Sequence, residues 1–253
     1  MKIIPVPAFE DNYIWLICDD QHAVAVDPGD AEPVLNYLKQ HGLQLTAILI
    51  THHHGDHTGG VKTLLRHASV PVYGPRHENI PGITHPVGEG DTVHLPELDV
   101  EYTVFDVPGH TAGHVAYYGA NSLFCGDTLF TCGCGKLFEG TPAQMYNSLQ
   151  KFAALPDTTL VYCTHEYTLE NIRFAKKVEP ANRQLLEREV RDIQTRQQDL
   201  PTLPSTMALE KATNPFLRCD HPDVISAARH FSGNPLDSPV QVFAAVREWR
   251  NRN

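Results

Sequence analysis

Thr51-His52-His53-His54-Gly55-Asp56-His57 packs four imidazoles and a carboxylate into seven residues. Imidazole and carboxylate without thiolate suit zinc, iron or manganese. The spacing says how they are used. Residues two apart lie on opposite sides of a helix but on the same side of an extended segment. His52 and His54 therefore share an ion only if the chain is extended there. Asp56 and His57 are adjacent and are expected to point apart, which suits a second ion beside the first. His53 falls between the first pair and is expected to face the other way.

The preceding run, Ala47-Ile48-Leu49-Ile50, is continuously apolar, as in a strand covered on both faces. Three more apolar segments end in ligand-type residues. Val100 to Val107 leads into Pro108-Gly109-His110-Thr111. Ser122 to Cys125 leads into Gly126-Asp127-Thr128, and Leu160 to Cys163 into Thr164-His165-Glu166. One such ending is unremarkable. Four imply a common site, because sheets align their strand ends. The candidate ligands are His52, His54, Asp56, His57, His110, Asp127 and His165. A zinc ion takes about three or four protein ligands, so the set suits two ions sharing a carboxylate.

The elements that must position them read as layered α/β. Strands are expected at 2–7, 12–18 and 22–27, then a helix over 31–41 capped near Asp30 and stopped by Gly42. A strand at 46–50, a helix over 59–68 and a strand at 70–74 follow. Residues 75–98 are turn-rich without a clear assignment. A hairpin pair at 115–118 and 122–125 precedes a helix over 142–154, with Thr141 as cap and Pro142 in first position. Beyond 168 the composition turns helical, with short helices near 221–231 and 237–250. The expected domains are residues 1–167, which hold the ligands, and residues 168–253, a helical part small enough to need docking.

Bulk properties narrow the class. The chain has 253 residues and a net charge of −10, which argues against a nucleic-acid partner. No apolar run approaches the roughly 18 residues of a membrane span. The N-terminal residues lack the pattern of a secretion signal, and six cysteines read as reduced thiols, so a cytoplasmic location is expected. Cys132-Gly-Cys134 lacks a second cysteine pair and is not expected to bind metal.

Thr-His-x-His-x-Asp-His, Pro-Gly-His-Thr, Gly-Asp and a late strand ending in His resemble the metallo-β-lactamase superfamily. That resemblance implies an αββα four-layer sandwich holding two metals at one edge, here with a small C-terminal helical domain. Several segments resemble the glyoxalase II (hydroxyacylglutathione hydrolase) family more closely. They are Phe124-Cys125-Gly126-Asp127-Thr128-Leu129-Phe130, Gly133-Cys134-Gly135-Lys136-Leu137-Phe138-Glu139-Gly140, Thr164-His165-Glu166-Tyr167-Thr168 and Asn214-Pro215-Phe216-Leu217-Arg218. Pro7-Ala8-Phe9 with Asp11-Asn12-Tyr13 matches too.

The family scheme implies His52, His54 and His110 on one ion, and Asp56, His57 and His165 on the other. Asp127 would bridge them together with a hydroxide, and Asp56 would orient that hydroxide as a catalytic group. Zinc is the expected metal, with iron or manganese as alternatives. Lys136, Phe138, Tyr167, Arg247 and Arg250 would bind the glutathione part of a thioester. Phe138 departs from the family's common Tyr, and Arg250 from its Lys. The implied reaction is hydrolysis of S-D-lactoylglutathione to D-lactate and glutathione, the second step of methylglyoxal detoxification, by a monomer. A persulfide dioxygenase, a β-lactamase or lactonase, and a nuclease of the superfamily are the enzymatic rivals. The full ligand set and the helical tail count against them. A degenerate, non-catalytic relative would have lost a ligand, and none is missing.

Overall fold

Strands β1 (Lys2–Ala8) and β2 (Asn12–Cys18) are antiparallel, with Lys2 opposite Cys18 and Ala8 opposite Asn12. Every residue of β2 is buried, which explains its continuous rather than alternating apolar run. In a computed structural model describing residues 1–253, this pair begins the first of two compact units. That unit comprises Met1–Asp106, Ala112–Gly126 and Tyr162–Glu166.

Four strands extend the sheet in the order of the sequence: β3 (His22–Val26), β4 (Gln44–Leu49), β5 (Val72–Pro75) and β6 (His85–Val87). From β3 onward they run parallel, so each step needs a crossover. Helix α1 (Ala31–His41) makes the first. The Asp30 carboxylate accepts from the Glu32 amide at its start, and the Gly42 amide donates to Leu38 at its end. The second carries α2 (Gly55–Thr58) and α3 (Val61–His67). Val34 and Leu38 of α1, with Val61 and Leu64 of α3, join Ile14, Leu16, Ala25 and Ile48 in one core. Full burial of one such aliphatic side chain contributes about 1.5–3 kcal/mol.

Strands β7 (Thr92–Leu95), β8 (Val100–Asp106), β9 (Val115–Gly119) and β10 (Ser122–Gly126) form an antiparallel meander in the same unit. Two buried hydrogen bonds tie it and the late strand to the first sheet. The Tyr117 hydroxyl donates to the Ile50 carbonyl at 2.8 Å, and Trp15 Nε1 donates to the Cys163 carbonyl at 2.9 Å. Burial pushes the Tyr117 hydroxyl well above its ordinary pKa, so it remains a donor at neutral pH.

The second unit comprises Val107–Thr111, Asp127–Val161 and Tyr167–Asn253. It begins with a two-residue hairpin, β11 (Leu129–Phe130) and β12 (Gly133–Cys134). Helix α4 (Pro142–Ala153) starts with a full capping box between Thr141 and Gln144. Leu160 and Val161, which open β13 (Leu160–Cys163), pair with Thr206 and Ser205. Helices α5 (Thr168–Val178) and α6 (Arg183–Arg196) precede β14 (Ser205–Thr206). Helices α7 (Met207–Thr213), α8 (Pro222–Ser232) and α9 (Pro239–Asn251) follow it. Buried Arg188 on α6 is fully engaged by Asp192, Thr213, Ser205 and Glu210. Asn214 Nδ2 donates to the carbonyls of Phe130 and Gly133, so the Asn-Pro-Phe motif anchors the β11–β12 hairpin. No helix is long and apolar enough to cross a membrane.

The differences from the sequence reading are local. The helix expected over 59–68 is α3 at 61–67, and a short helix not expected from the sequence, α2, precedes it inside the ligand loop. The strands expected at 46–50 and 70–74 lie at 44–49 and 72–75. Residues 75–98 hold β6, β7 and a 3₁₀ turn at Pro96–Leu98. Strands of two to four residues such as these, β11, β12 and β14 are too short to show a period.

Candidate metal centre

The chain leaves β4 at Leu49 and stays extended through His54, whose φ is −60° and ψ 148°. His52 and His54 therefore project to one side, and His52 Nε2 lies 3.0 Å from His54 Nδ1. Helix α2 begins at the next residue. On a helix, neighbours differ by about 100° rather than 180°. Asp56 and His57 therefore converge instead of pointing apart, with Asp56 Oδ2 3.6 Å from His57 Nε2. This corrects the expectation drawn from strand geometry. His165, at the exit of β13, places its Nε2 3.4 Å from the same Oδ2. The ligand atoms of Asp56, His57 and His165 all lie within 4.8 Å of one another.

The opposite nitrogens of these rings are fixed by acceptors. His57 Nδ1 lies 3.0 Å from Asp27 Oδ2, and His165 Nδ1 lies 2.7 Å from Asp11 Oδ1. The Thr51 hydroxyl donates to Asp27 Oδ2 at 2.7 Å, so at 3.1 Å it accepts from His52 Nδ1. In the second unit, His110 Nδ1 donates to the Lys136 carbonyl at 2.8 Å, and His110 Nε2 lies 3.5 Å from Asp127 Oδ2. With the proton held on Nδ1, each of the four rings presents the lone pair of Nε2. Lone pairs facing carboxylate oxygens form a donor set that a divalent cation satisfies, and buttressed imidazoles are the usual form of such ligands. The residues present therefore fit divalent metal ions.

Two glycines allow this packing. Gly126 has φ 49°, and a Cβ there would lie 2.3 Å from Thr51 Oγ1. A Cβ on Gly135 would lie 1.9 Å from the Asp127 carbonyl oxygen.

The expected substrate residues all lie in the second unit. The Phe138 amide donates to the His110 carbonyl, and its ring is 59% exposed beneath Lys136, whose Nζ lies 5.3 Å from the ring centroid. Tyr167 packs edge-on to Phe130 at 5.3 Å, just before α5. Arg247 on α9 is buried. Its Nη1 donates to the Cys134 carbonyl at 2.9 Å, and its guanidinium lies over Phe216. Arg250 lies over Phe174. Burial first, and the Arg247 charge second, lower the Arg250 pKa from the ordinary arginine value. An anion beside Arg250 would offset that burial. Burial pushes the Cys132 thiol up to about 12 and also raises Cys134.

His53 faces Glu78, with Nδ1 3.0 Å from Oε2. The groups that hold the ligands escaped the sequence reading: Asp11, Asn12, Asp27, Thr51 and His114. His114 is fully buried and stacks on His52 at 4.6 Å. Asp27 carried a usable signal, because it too ends an apolar strand, β3. Asp11 and Asn12 stood out only within a motif that resembles the family, with nothing to tie them to ligands so far away in sequence.

Comparison with known proteins places this geometry. The profile described as the metallo-beta-lactamase superfamily matches residues 8–165, and that of the hydroxyacylglutathione hydrolase C-terminus matches residues 166–253. A hydroxyacylglutathione hydrolase of Nitrosomonas europaea is 57% identical over 251 residues, which is 99% of this chain and 96% of the relative. The crystal structure of ETHE1 from Myxococcus xanthus has a TM-score of 0.67 at 26% identity, covering 99% of this chain and 98% of that one. TTHA1623 in a di-iron-bound form has a TM-score of 0.60 at 27% identity, covering 85% and 100%. The chain has the α/β metallo-β-lactamase fold with a C-terminal helical region, and it belongs to the hydroxyacylglutathione hydrolase family.

Proposed function

We propose that this protein hydrolyses S-(2-hydroxyacyl)glutathione thioesters, S-D-lactoylglutathione among them, to a 2-hydroxy acid and glutathione. The observation that carries the reading is the set Asp56, His57 and His165, converged and held from behind by Asp27 and Asp11. Identity of 57% to a full-length relative of that name supports it. We assign His52, His54 and His110 to one ion, Asp56, His57 and His165 to the other, and Asp127 to both. Zinc is the metal we assign. The di-iron-bound neighbour supports iron as the alternative. Bound there, a divalent pair supplies hydroxide at neutral pH and a Lewis acid for the thioester carbonyl.

The chain's own residues do the rest. Asp56 accepts a hydrogen bond from the nucleophile and orients it toward the carbonyl. The leaving thiolate needs no dedicated acid, since ordinary thiols have pKa values near 8.5. Lys136 and Arg250 meet the glutathione carboxylates, and Arg247 holds the hairpin beside them. Tyr167 and Phe138 flank the peptide part. Residues 168–253 act as the substrate-binding domain, a division supported by the two matched profiles meeting at 165 and 166. The enzyme acts as a cytoplasmic monomer.

The test is thiol release from S-D-lactoylglutathione by protein carrying about two zinc ions. Turnover that saturates with substrate supports the reading, and no thiol release overturns it. Lys136→Ala is expected to raise KM about 10-fold with kcat little changed, since it removes a charge-assisted contact made before and during reaction. Steady-state kinetics decides, and an unchanged KM removes Lys136 from the recognition set.

A further inference from the structure

Three consecutive residues where the turn runs into β2 reach metal ligands or the residue beside one of them. Asp11 Oδ1 lies 2.7 Å from His165 Nδ1. Asn12 Nδ2 donates to Asp56 Oδ2 at 3.2 Å. The Tyr13 hydroxyl donates to Glu166 Oε2 at 3.1 Å. The backbone repeats the grip: the Tyr13 amide donates to Thr164 and the Glu166 amide to Asp11, with Asn12 and His165 paired in an isolated bridge. Asn12 is buried, 5% exposed, whereas the Asp56 side chain is 41% exposed. The carboxylate at the open side is thus aimed by an amide from the closed side.

The atom Asn12 touches gives the contact its meaning. Oδ2 is the Asp56 oxygen that faces both His57 Nε2 and His165 Nε2. A carboxylate on a half-exposed side chain rotates about its Cβ–Cγ bond. A donor fixed to one oxygen restrains that rotation.

We propose that Asn12 is a positioning residue: it selects Oδ2 of Asp56 as the ligand atom and, with Asp11 orienting His165, makes the β2 turn a clamp that builds the Asp56/His57/His165 site before an ion arrives. This rests on the metal assignment above, and its consequence is selective. The clamp touches one proposed ion's ligands and none of the ligands of the other.

The experiment is zinc binding to metal-free wild-type protein, Asn12→Ala and Asn12→Ser, by competition with a chromophoric chelator, without substrate. Orienting partners of metal ligands are worth about 10–100-fold in affinity. One of two zinc equivalents should weaken by at least about 10-fold in Asn12→Ala while the other stays within about 2-fold. Asn12→Ser, which keeps a donor, should lie between, and added zinc should restore kcat with KM unchanged. Asp11→Asn should weaken the same equivalent. Two equivalents at wild-type affinity would overturn the proposal. So would an equal fall in both, or a kcat that zinc does not restore in a protein with wild-type circular dichroism. If Asn12→Ala fails to fold, Asn12→Ser and Asp11→Asn decide by the same criteria. Failure of the functional reading itself shows separately, as wild-type protein without two zinc equivalents or without thiol release.

Discussion

Asp27→Ala is expected to lower the stability of the metal-free protein by about 3–5 kcal/mol, the range for removing one partner from a buried charged cluster. Asp27 is 2% exposed and accepts three hydrogen bonds. Oδ1 takes the Thr51 amide at 2.8 Å, and Oδ2 takes the Thr51 hydroxyl at 2.7 Å and His57 Nδ1 at 3.0 Å. Alanine strands all three donors. Its φ of 50° adds about 1 kcal/mol, because alanine tolerates the left-handed region less well than aspartate. Metal binding should change as well, and differently from the Asn12 variants. Asp27 holds His57 directly and His52 through Thr51, and these are assigned to different ions. Both zinc equivalents should therefore weaken, by about 10-fold or more each. Asp27→Asn separates the causes, since it keeps the side-chain shape and the tolerance of left-handed φ but puts an amide where the donors need an acceptor. Urea denaturation of the metal-free forms and zinc competition measure the two effects. A wild-type urea midpoint for Asp27→Ala, or loss of only one zinc equivalent, would refute the shared role.

Gly135→Ala is expected to reduce turnover by about 100-fold, the scale of a displacement near 1 Å at reacting groups. The new Cβ would stand 1.9 Å from the Asp127 carbonyl oxygen and 3.1 Å from His110 Nδ1. The first contact is backbone, so no side chain can swing away. The Gly135 amide is also bonded to the Thr128 carbonyl at 3.2 Å, which resists a shift on that side. Either Asp127 moves or the hairpin does. The stability cost should be smaller than for Asp27→Ala, about 1–3 kcal/mol, as for other overpacked sites. Parallel measurement of kcat, zinc content and thermal midpoint tests this. Wild-type kcat would show that the loop absorbs the methyl without moving Asp127.

The legible parts of the molecule are those where chemistry and period coincide. Continuous apolar runs gave β2 and β4, and ligand-type residues at the exits of β4 and β13 gave His52, His54, Asp56, His57 and His165. Their use in space was harder to read. A single helical turn at Gly55–Thr58 reversed the expected divergence of Asp56 and His57, and a four-residue helix leaves no periodic trace. The supporting groups were harder still. Asp11 and His165 are 154 residues apart, and Thr51 carries a hydroxyl of a kind found at any capped turn. Asn214 stood out only as part of a motif, while its task of pinning Phe130 and Gly133 is a matter of tertiary geometry.

The span from Asp11 to His165 also orders events in time. Asn12 meets a partner 44 residues away, but Asp11 waits for one 154 residues downstream. Contacts of such separation close late, because loop entropy is lost before they contribute. During synthesis Thr51–His57 emerges long before His165, so the early chain holds Asp11, Asp56 and His57 without the third ligand of their set. Ion capture at Asp56, His57 and His165 therefore belongs to the end of folding. Zinc added to an unfolded chain should exchange freely until the β2 turn and the exit of β13 have met.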